Sequence, residues 1–340
     1  MPGAPVVRAT APLGSSWRGA DPFLMMAHHL DHYPRGDGAL APVSGTGGRD
    51  RGSDFSGKDG WSMYHGGPVP GFPAHPHRGF ETITIVPQGY VDHADSVGGR
   101  ARYGQGDVQW LTAGAGVLHS EMFPLLHTGR DNPLSLMQIW LNLPASNKMS
   151  PPHFSMFWAE AMPHVRLDNG VDVQVIAGEL DGVPALPPPP DSWASDPRSG
   201  FAIWMATVPP GTAWDVPAAA HGDGMRVLHV IAGERVRVEG RELEGRHVID
   251  VRPDAPVTLA NAGGDAVVVV MLQARPIGEP VATHGPFVMN TEAEIRQAFA
   301  DFERTRFGRW PFPTPAPTHG ALAERFAVYP DGREERPPAA

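Results

Sequence analysis

The sequence predicts an all-β protein that folds as two β-barrels of the sandwich or jelly-roll kind, with one short helix near its C-terminus. The 340 residues include 40 glycines and 38 prolines, and such frequent turn-forming residues break a chain into short segments. Short apolar runs also recur at regular spacing in two separate stretches. Because the chain is longer than most single domains, we expect two hydrophobic cores.

The first series of apolar runs lies within residues 1–150. The predicted strands are Glu81–Val86, Asp107–Leu111, Val117–Leu118 and Leu136–Leu141. Apolar and polar residues alternate within these runs and glycines separate them, which is the pattern of antiparallel strands joined by turns. We therefore expect a first barrel domain over residues 1–150.

The second series lies within residues 165–308, which we expect to form a second barrel domain. Its predicted strands are Phe201–Val208, Arg226–Ile231, Arg235–Val238, Val248–Val251 and Ala266–Leu272. The two series are separated by Pro184–Pro197, which contains four consecutive prolines and is expected to be an exposed loop.

A helix is predicted near the end of the second domain. Thr291 and Glu294 have the spacing of a capping box, and Gly308 can end the helix in a left-handed conformation. The apolar residues at helical spacing are Ile295, Phe299 and Phe302. We expect this helix to pack on a barrel.

Two segments show neither pattern. Residues 35–60 are rich in Gly, Asp, Arg and Ser and are expected to form a long loop. Residues 309–340 contain seven prolines and many charges, so we expect an extended, partly ordered tail.

Composition excludes several classes of function. The chain has no cysteine, so a metal must be held by nitrogen and oxygen ligands. A net charge of −10 without a basic cluster argues against direct binding of nucleic acid. No apolar run approaches the roughly 20 residues of a membrane span, and no signal-peptide pattern is evident. We therefore expect a cytoplasmic protein with no membrane partner.

The residues with the clearest chemical meaning are two pairs at i, i+2 spacing: His75 with His77, and His119 with Glu121. Side chains two residues apart on a strand point to the same face. If the two strands are neighbours inside a barrel, three imidazoles and one carboxylate meet at one point. That donor set suits a divalent transition metal.

The carboxylate ligand has two candidates, Glu81 and Glu121. Glu81 follows His77 by four residues, which places it about 13 Å further along a regular strand. Glu121 lies one pleat from His119 and is better placed. Glu81 is expected to have a structural role or to support the ligands.

Other polar residues near the motifs are given structural interpretations. Arg78 could bind an anionic substrate, but an ion pair with a carboxylate is the preferred interpretation. His93 lies between Asp92 and Asp95 near a turn and is expected to be exposed to solvent. Four tryptophans in apolar runs are expected to pack in the core: Trp110, Trp140, Trp158 and Trp204. No role is assigned to His28, His29, His65 and His127.

Aligning Gly89 with Gly233 makes the two halves a diverged repeat. This alignment places Ala219 opposite His75 and His221 opposite His77. Met225 then lies opposite Glu81. His221 is the single ligand-type residue among these aligned positions of the second domain. We therefore expect one metal per chain, held by the first domain.

Four segments together resemble the pirin family of the cupin superfamily. They are His75–Thr82 (HPHRGFET), Gly106–Met122 (GDVQWLTAGAGVLHSEM), Gln138–Pro144 (QIWLNLP) and Gly285–Thr291 (GPFVMNT). The resemblance covers most of residues 20–310 and implies a bicupin, with two cupin barrels in one chain and a single metal in the N-terminal barrel. It implies His75, His77, His119 and Glu121 as the ligands. Segments 35–60 and 309–340 look longer than in familiar pirins.

The resemblance also implies Fe(II) as the metal, although Ni, Mn, Cu or Zn would suit the same donors. The leading hypothesis is a dioxygenase of the quercetin 2,3-dioxygenase type that cleaves a flavonol-like aromatic substrate with dioxygen. Glu121 would be the catalytic base that deprotonates the substrate hydroxyl. Two alternatives remain: a non-enzymatic, iron-dependent regulator acting through a protein partner, and a bicupin with another reaction such as isomerisation.

Overall fold

The computed structural model describes residues 4–339 and divides the chain into two compact units. The unit that carries the two ligand-type pairs, called here the metal-motif unit, comprises residues 27–161 and 279–339. The second unit comprises residues 4–26 and 162–278.

The regular secondary structure of both units is almost entirely β-strand. Up to residue 161 these are β1 (Val7–Pro12), β2 (Ser16–Arg18), β3 (Phe23–Tyr33), β4 (Gly71–His77), β5 (Phe80–Gln88), β6 (Tyr90–Asp95), β7 (Arg100–Gly104), β8 (Val108–Thr112), β9 (Val117–Met122), β10 (Asn132–Asn142) and β11 (His153–Phe157).

The strands of the middle of the chain belong to the second unit. They are β12 (His164–Arg166), β13 (Asp172–Ala177), β14 (Glu179–Leu180), β15 (Val183–Pro184), β16 (Ala202–Val208), β17 (Ala213–Val216), β18 (Met225–Ala232), β19 (Arg235–Val238), β20 (Arg241–Glu244), β21 (His247–Val251), β22 (Val257–Asn261) and β23 (Val267–Ala274).

The last part of the chain returns to the metal-motif unit. It contains β24 (Ala282–His284), β25 (Phe287–Met289), helix α1 (Glu292–Thr305), β26 (Phe326–Val328) and β27 (Glu334–Glu335). Short 3-10 turns occur at Lys58–Gly60, Trp193–Ser195 and Pro197–Ser199.

Two sheets enclose the core of the metal-motif unit. One has the strand order β27-β26-β7-β6-β9-β4, and the other contains β11-β8-β5-β10-β3. Neighbouring strands are antiparallel. Large apolar side chains such as Tyr33, Trp61 and Tyr103 lie buried among aliphatic ones.

The second unit has the same two-sheet construction. Its sheets have the orders β1-β21-β18-β23-β16-β13-β12 and β17-β22-β19-β20. Valines dominate its buried core, with Trp204 and Trp214 among them. Since β-branched residues suit a pleated surface covered on one face, the valine-rich alternation of the sequence forms these strands. The prediction of an all-β chain of two barrels with one short helix is confirmed for the described residues.

The units of the structure differ from the predicted domains at both ends of the chain. Residues 4–26 were expected in the domain 1–150, but β1 forms the edge of the second unit's large sheet, with Val7 opposite Val251. An edge strand needs only a neighbour with free hydrogen-bonding groups, and sequence alternation does not say which sheet offers it.

The helix also differs in its location and its end. It was predicted at the end of the domain 165–308 and expected to pack on a barrel. Ile295, Phe299 and Phe302 pack with Phe287 and Leu118 of the metal-motif unit, so the barrel concerned is the first one. The capping box is present, because the Glu294 amide donates to the Thr291 hydroxyl at 3.2 Å. The left-handed residue that ends the helix is Arg306 at φ 51°, two positions before the predicted Gly308.

The C-terminal tail is incorporated into a sheet rather than simply extended. β26 pairs with β7, so that Ala327 lies opposite Ala101. Arg102 is fully buried, and its guanidinium donates to the carbonyl groups of Gly320 (2.8 Å) and Leu322. The tail therefore supplies acceptors to a buried arginine of β7.

No helix in the described part of the chain is long and apolar enough to span a membrane.

Candidate metal centre

The two ligand-type pairs lie on neighbouring strands, which is the arrangement in which the two pairs can meet. β4 and β9 are antiparallel, and His75 lies directly opposite His119. The ring centroids of His75, His77 and His119 are 4.4–4.9 Å apart. Each of these histidines offers a ring nitrogen within 4.8 Å of the other two. This three-histidine cluster could hold a metal ion.

The cluster is buried on one side and open on the other. His119 is fully buried and His77 is 3% exposed. The His75 side chain, in contrast, is 29% exposed. A small molecule would therefore reach the cluster from the side of His75.

The hydrogen bonds of the three rings leave nitrogen lone pairs available. Nδ1 of His75 lies 2.9 Å from the Pro73 carbonyl oxygen and donates to it, which leaves Nε2 as the free lone pair. Nε2 of His77 and both ring nitrogens of His119 are buried without a hydrogen-bond partner among the described residues. Since a buried polar atom normally has a partner, these nitrogens fit a metal ion.

Burial also keeps the three rings neutral. It lowers the pKa of His75 to about 4 and the pKa values of His77 and His119 well below the usual 6.5. A charged imidazolium loses hydration energy when it is enclosed, so the neutral ring is favoured. Neutral imidazole is the form that binds a metal.

Glu121 lies beside the cluster. Its Oε2 is 3.7 Å from Nε2 of His119 and 4.0 Å from Nε2 of His75. Gln138 on β10 donates to Oε1 at 2.9 Å and to Oε2 at 3.1 Å. Trp140 donates to Oε1 of Gln138 at 3.2 Å and so fixes which end of the amide faces Glu121. Burial raises the pKa of Glu121.

The other candidate carboxylate lies outside the three-histidine cluster. Glu81 is fully buried on β5 and accepts a hydrogen bond from the Thr112 hydroxyl at 2.7 Å. The two residues are opposite each other in the pairing of β5 with β8. This contact fits the structural role predicted for Glu81.

The expectation for His93 was wrong. It is fully buried, lies opposite Glu121 in the pairing of β6 with β9, and its ring is 5.6 Å from His119. Nε2 lies 3.0 Å from Oδ2 of Asp95, which is also fully buried. The acidic neighbours suggested solvent, but Asp92 is buried in an ion pair with Arg102. The i, i+2 spacing of His93 and Asp95 was the signal that could have found this pair.

Arg78 forms the ion pair that was predicted. Its Nη1 lies 2.9 Å from Oδ2 of Asp301 on α1, and its Nε donates to the Ala115 carbonyl at 2.7 Å. Arg78 follows His77 directly, so these contacts hold the end of β4.

The tryptophans divide into two groups. Trp110, Trp158 and Trp204 are buried as expected. Trp140 is partly exposed, and its ring lies 5.3 Å from His77. Sequence reasoning missed the role of β10, because Gln138 and Trp140 come from a strand without any ligand-type residue.

A β-bulge precedes the first ligand-type histidine. Phe72 is paired with Glu121 and His75 with His119, so β4 has one more residue than β9 in this interval. The amide of Ala74, inside the bulge, donates to the Pro315 carbonyl of the tail at 2.7 Å. The tail therefore supports the backbone that directs His75 into the cluster.

The fold and the site define a cupin-type protein with a three-histidine cluster inside a barrel. The sequence model of the pirin family matches residues 43–141, and that of the pirin C-terminal cupin domain matches residues 204–308. The chain is 37% identical over 241 residues to a pirin-like protein of Caulobacter vibrioides, covering 70% of this chain and 80% of that protein. It is 33% identical to Pirin-1 of Arabidopsis thaliana, covering 70% and 78% of the two chains.

Among solved structures, the chain resembles a quercetin 2,3-dioxygenase from Acinetobacter baumannii. The TM-score is 0.65 at 30% identity, and the match covers 85% of this chain and 86% of the other. The chain belongs to the pirin family.

Proposed function

We propose that this pirin is a metal-dependent dioxygenase of the quercetin 2,3-dioxygenase type, with a flavonol-like substrate. The observation that carries the proposal is the cluster of three neutral imidazoles, with the Glu121 carboxylate 3.7 Å from His119 and 4.0 Å from the partly exposed His75. The similarity to the Acinetobacter baumannii quercetin 2,3-dioxygenase supports the same reaction type.

The proposed ligands are His75, His77, His119 and Glu121. With three neutral ligands and one carboxylate, a divalent ion keeps a net charge of +1, which favours an anionic phenolate. Fe(II) is the proposed ion, on the strength of family membership, and the same donors also suit Ni, Mn, Cu or Zn. A bound metal supplies a Lewis acid and an electron-transfer partner for dioxygen.

Glu121 is the proposed catalytic base. Its carboxylate lies beside the exposed His75, where a substrate hydroxyl would arrive, and it can accept the hydroxyl proton. Gln138 holds both carboxylate oxygens and so keeps the accepting atom in place. In the overall reaction, a flavonol and dioxygen give a ring-opened ester and carbon monoxide. Both oxygen atoms of dioxygen are retained in the products.

The test is oxygen-dependent loss of quercetin with release of carbon monoxide, measured on the Fe(II)-loaded protein. His75→Ala and Glu121→Ala, each with a verified fold, should abolish turnover. His221→Ala is the matched control, since His221 is exposed in the second unit and aligns with His77 in the repeat. It should retain full activity.

Absence of turnover in wild-type protein that holds its metal would overturn the proposal. The regulator acting through a protein partner would then be the alternative to pursue, by a pull-down that compares metal-loaded with metal-free protein.

A further inference from the structure

One large apolar side chain near the cluster is exposed without an evident structural reason. Phe55 is 56% exposed and lies in the loop that connects β3 with β4. A single exposed apolar residue is common on protein surfaces, but Phe55 adjoins the rings of His65, Tyr64 and Phe72 and so belongs to a group of aromatic side chains beside the cluster.

The loop around Phe55 is rigidly built. Arg49 is buried and donates to the carbonyl groups of Gly45 (2.8 Å) and Trp61 (2.8 Å). It also pairs with Oδ2 of Asp54 at 2.9 Å, and its guanidinium lies 3.5 Å from the centre of the Trp61 ring.

Asp54, the residue directly before Phe55, is fixed by hydrogen bonds of both its backbone and its carboxylate. The amide and carbonyl groups of Asp54 exchange two hydrogen bonds of 2.8 Å with the backbone of Tyr64. The Asp54 carboxylate accepts from the amides of Ser56 (3.1 Å) and Met63 (3.0 Å). Phe55 is therefore exposed at a defined position.

A series of ring contacts leads from Phe55 to the metal cluster. The Phe55 ring lies 5.0 Å from His65, 5.5 Å from Tyr64 and 6.4 Å from Phe72. Phe72 stacks on Tyr64 at 5.1 Å and lies 6.2 Å from His75. The Phe55 and Phe72 rings are inclined at 57° to each other, so a planar molecule that stacks on Phe55 would meet Phe72 at an angle while its far end points towards His75, the exposed member of the cluster.

We propose that Phe55 and Phe72 form the substrate-binding surface of this site, and that Phe55 selects planar aromatic phenols. This inference rests on the proposed dioxygenase function and specifies how its substrate is bound. Stacking of aromatic faces favours flat conjugated rings over saturated ones. The exposed Val43, in the same long loop, is aliphatic and takes no part in these ring contacts.

The experiment compares wild type with Phe55→Ala, Phe55→Trp and the control Val43→Ala. Quercetin affinity is measured by calorimetry on metal-loaded protein without oxygen, and metal affinity is measured separately. The second probe is taxifolin, in which the heterocycle is saturated and no longer flat.

Phe55→Ala should weaken quercetin binding about 3- to 10-fold, the range of one aromatic contact, and change taxifolin binding less. Phe55→Trp should retain wild-type affinity. Val43→Ala should bind quercetin with wild-type affinity. The metal affinity of every variant should equal that of the wild type.

The outcomes separate this inference from the proposed function. Wild-type turnover with equal quercetin affinity in Phe55→Ala would overturn the role of Phe55 and leave the dioxygenase in place. Quercetin binding that depends on Phe55, without any turnover, would support the surface and overturn the dioxygenase. If quercetin does not bind to the wild type, the inference is wrong.

Discussion

The carboxamide of Gln138 donates to both carboxylate oxygens of Glu121, at 2.9 and 3.1 Å. The two residues come from different sheets of the barrel, on β10 and β9. The carboxylate nearest the three histidines is therefore positioned by the opposite sheet. Substitutions on a strand without ligand-type residues should affect metal binding.

Gln138→Leu should weaken metal binding by about 10-fold or more, since residues that orient a ligand typically have effects of this size. The measurement is competition with a chromogenic chelator. Gln88→Leu is the matched control, because Gln88 is an exposed glutamine at the end of β5. Equal metal affinity in Gln138→Leu and wild type would show that Glu121 does not need this support.

Low pH should destabilise the metal-free protein, because the histidines of the cluster resist protonation in the folded state. The pKa values of His77 and His119 lie well below 6.5 in the folded state. As the pH falls below 6.5, the unfolded chain binds protons that the folded chain does not, so the free energy of unfolding decreases. The free energy of unfolding should be unaffected by this titration above about pH 7 and should decrease progressively towards pH 5.

The comparison that isolates this effect uses His119→Gln, which removes one titrating ring. Thermal unfolding of metal-free samples at pH 7.5 and pH 5 should show a smaller decrease in the variant than in wild type. The raised pKa of Glu121 acts in the opposite direction, and Glu121 is present in both proteins. Parallel pH profiles would contradict the prediction.

Removing the tail should destabilise the metal-motif unit and weaken its metal binding. A chain ending at Gly308 leaves the Ala74 amide without the Pro315 carbonyl and removes two acceptors from buried Arg102. Each buried group left without a partner costs about 1–3 kcal/mol. We expect a lower unfolding temperature and weaker metal binding than in a control chain that ends at Arg336.

If the truncated chain does not fold, His319→Ala gives a milder test. The His319 ring lies 2.8 Å from the His93 carbonyl oxygen, and its backbone amide donates to Asp92. Loss of the ring contact should cost about 1 kcal/mol in the free energy of unfolding. If the tail has no structural role, the chain ending at Gly308 and the His319→Ala variant will both be as stable as the full protein.

Gly79 should be intolerant of any side chain. It has φ +82°, and an added Cβ would lie 2.0 Å from the Val288 carbonyl oxygen. Gly240 has φ +78° but nothing within 4 Å of the same position, so Gly240→Ala measures the backbone strain alone. We expect Gly240→Ala to cost about 1 kcal/mol.

Gly79→Ala should cost about 3 kcal/mol or more, because a backbone clash is added to the strain. Urea denaturation of the two variants gives the difference. An equal decrease in the free energy of unfolding for Gly79→Ala and Gly240→Ala would mean that the backbone after Arg78 can move away from Val288.

Much of the architecture was predictable from local pattern. The core strands of both barrels were predicted within a few residues, since alternation and glycine turns depend on near neighbours alone. The predictions failed where distant segments meet, as for the burial of His93 and the pairing of the tail with β7. The acidic sequence around His93 predicted solvent, because the local pattern does not show that Phe154 and His119 pack against the His93 ring or that Arg102 pairs with Asp92.

The sequence by itself determined that the chain forms β-barrels, that His75 shares one strand face with His77, and that His119 shares one with Glu121. These follow from two-residue periodicity, which places side chains on one face regardless of the rest of the fold. The tertiary structure decided that Gln138 holds Glu121, that the tail supports the bulge before His75, and that Phe55 lies near the cluster. These contacts join segments far apart in the chain, and only the packing of the whole unit brings them together.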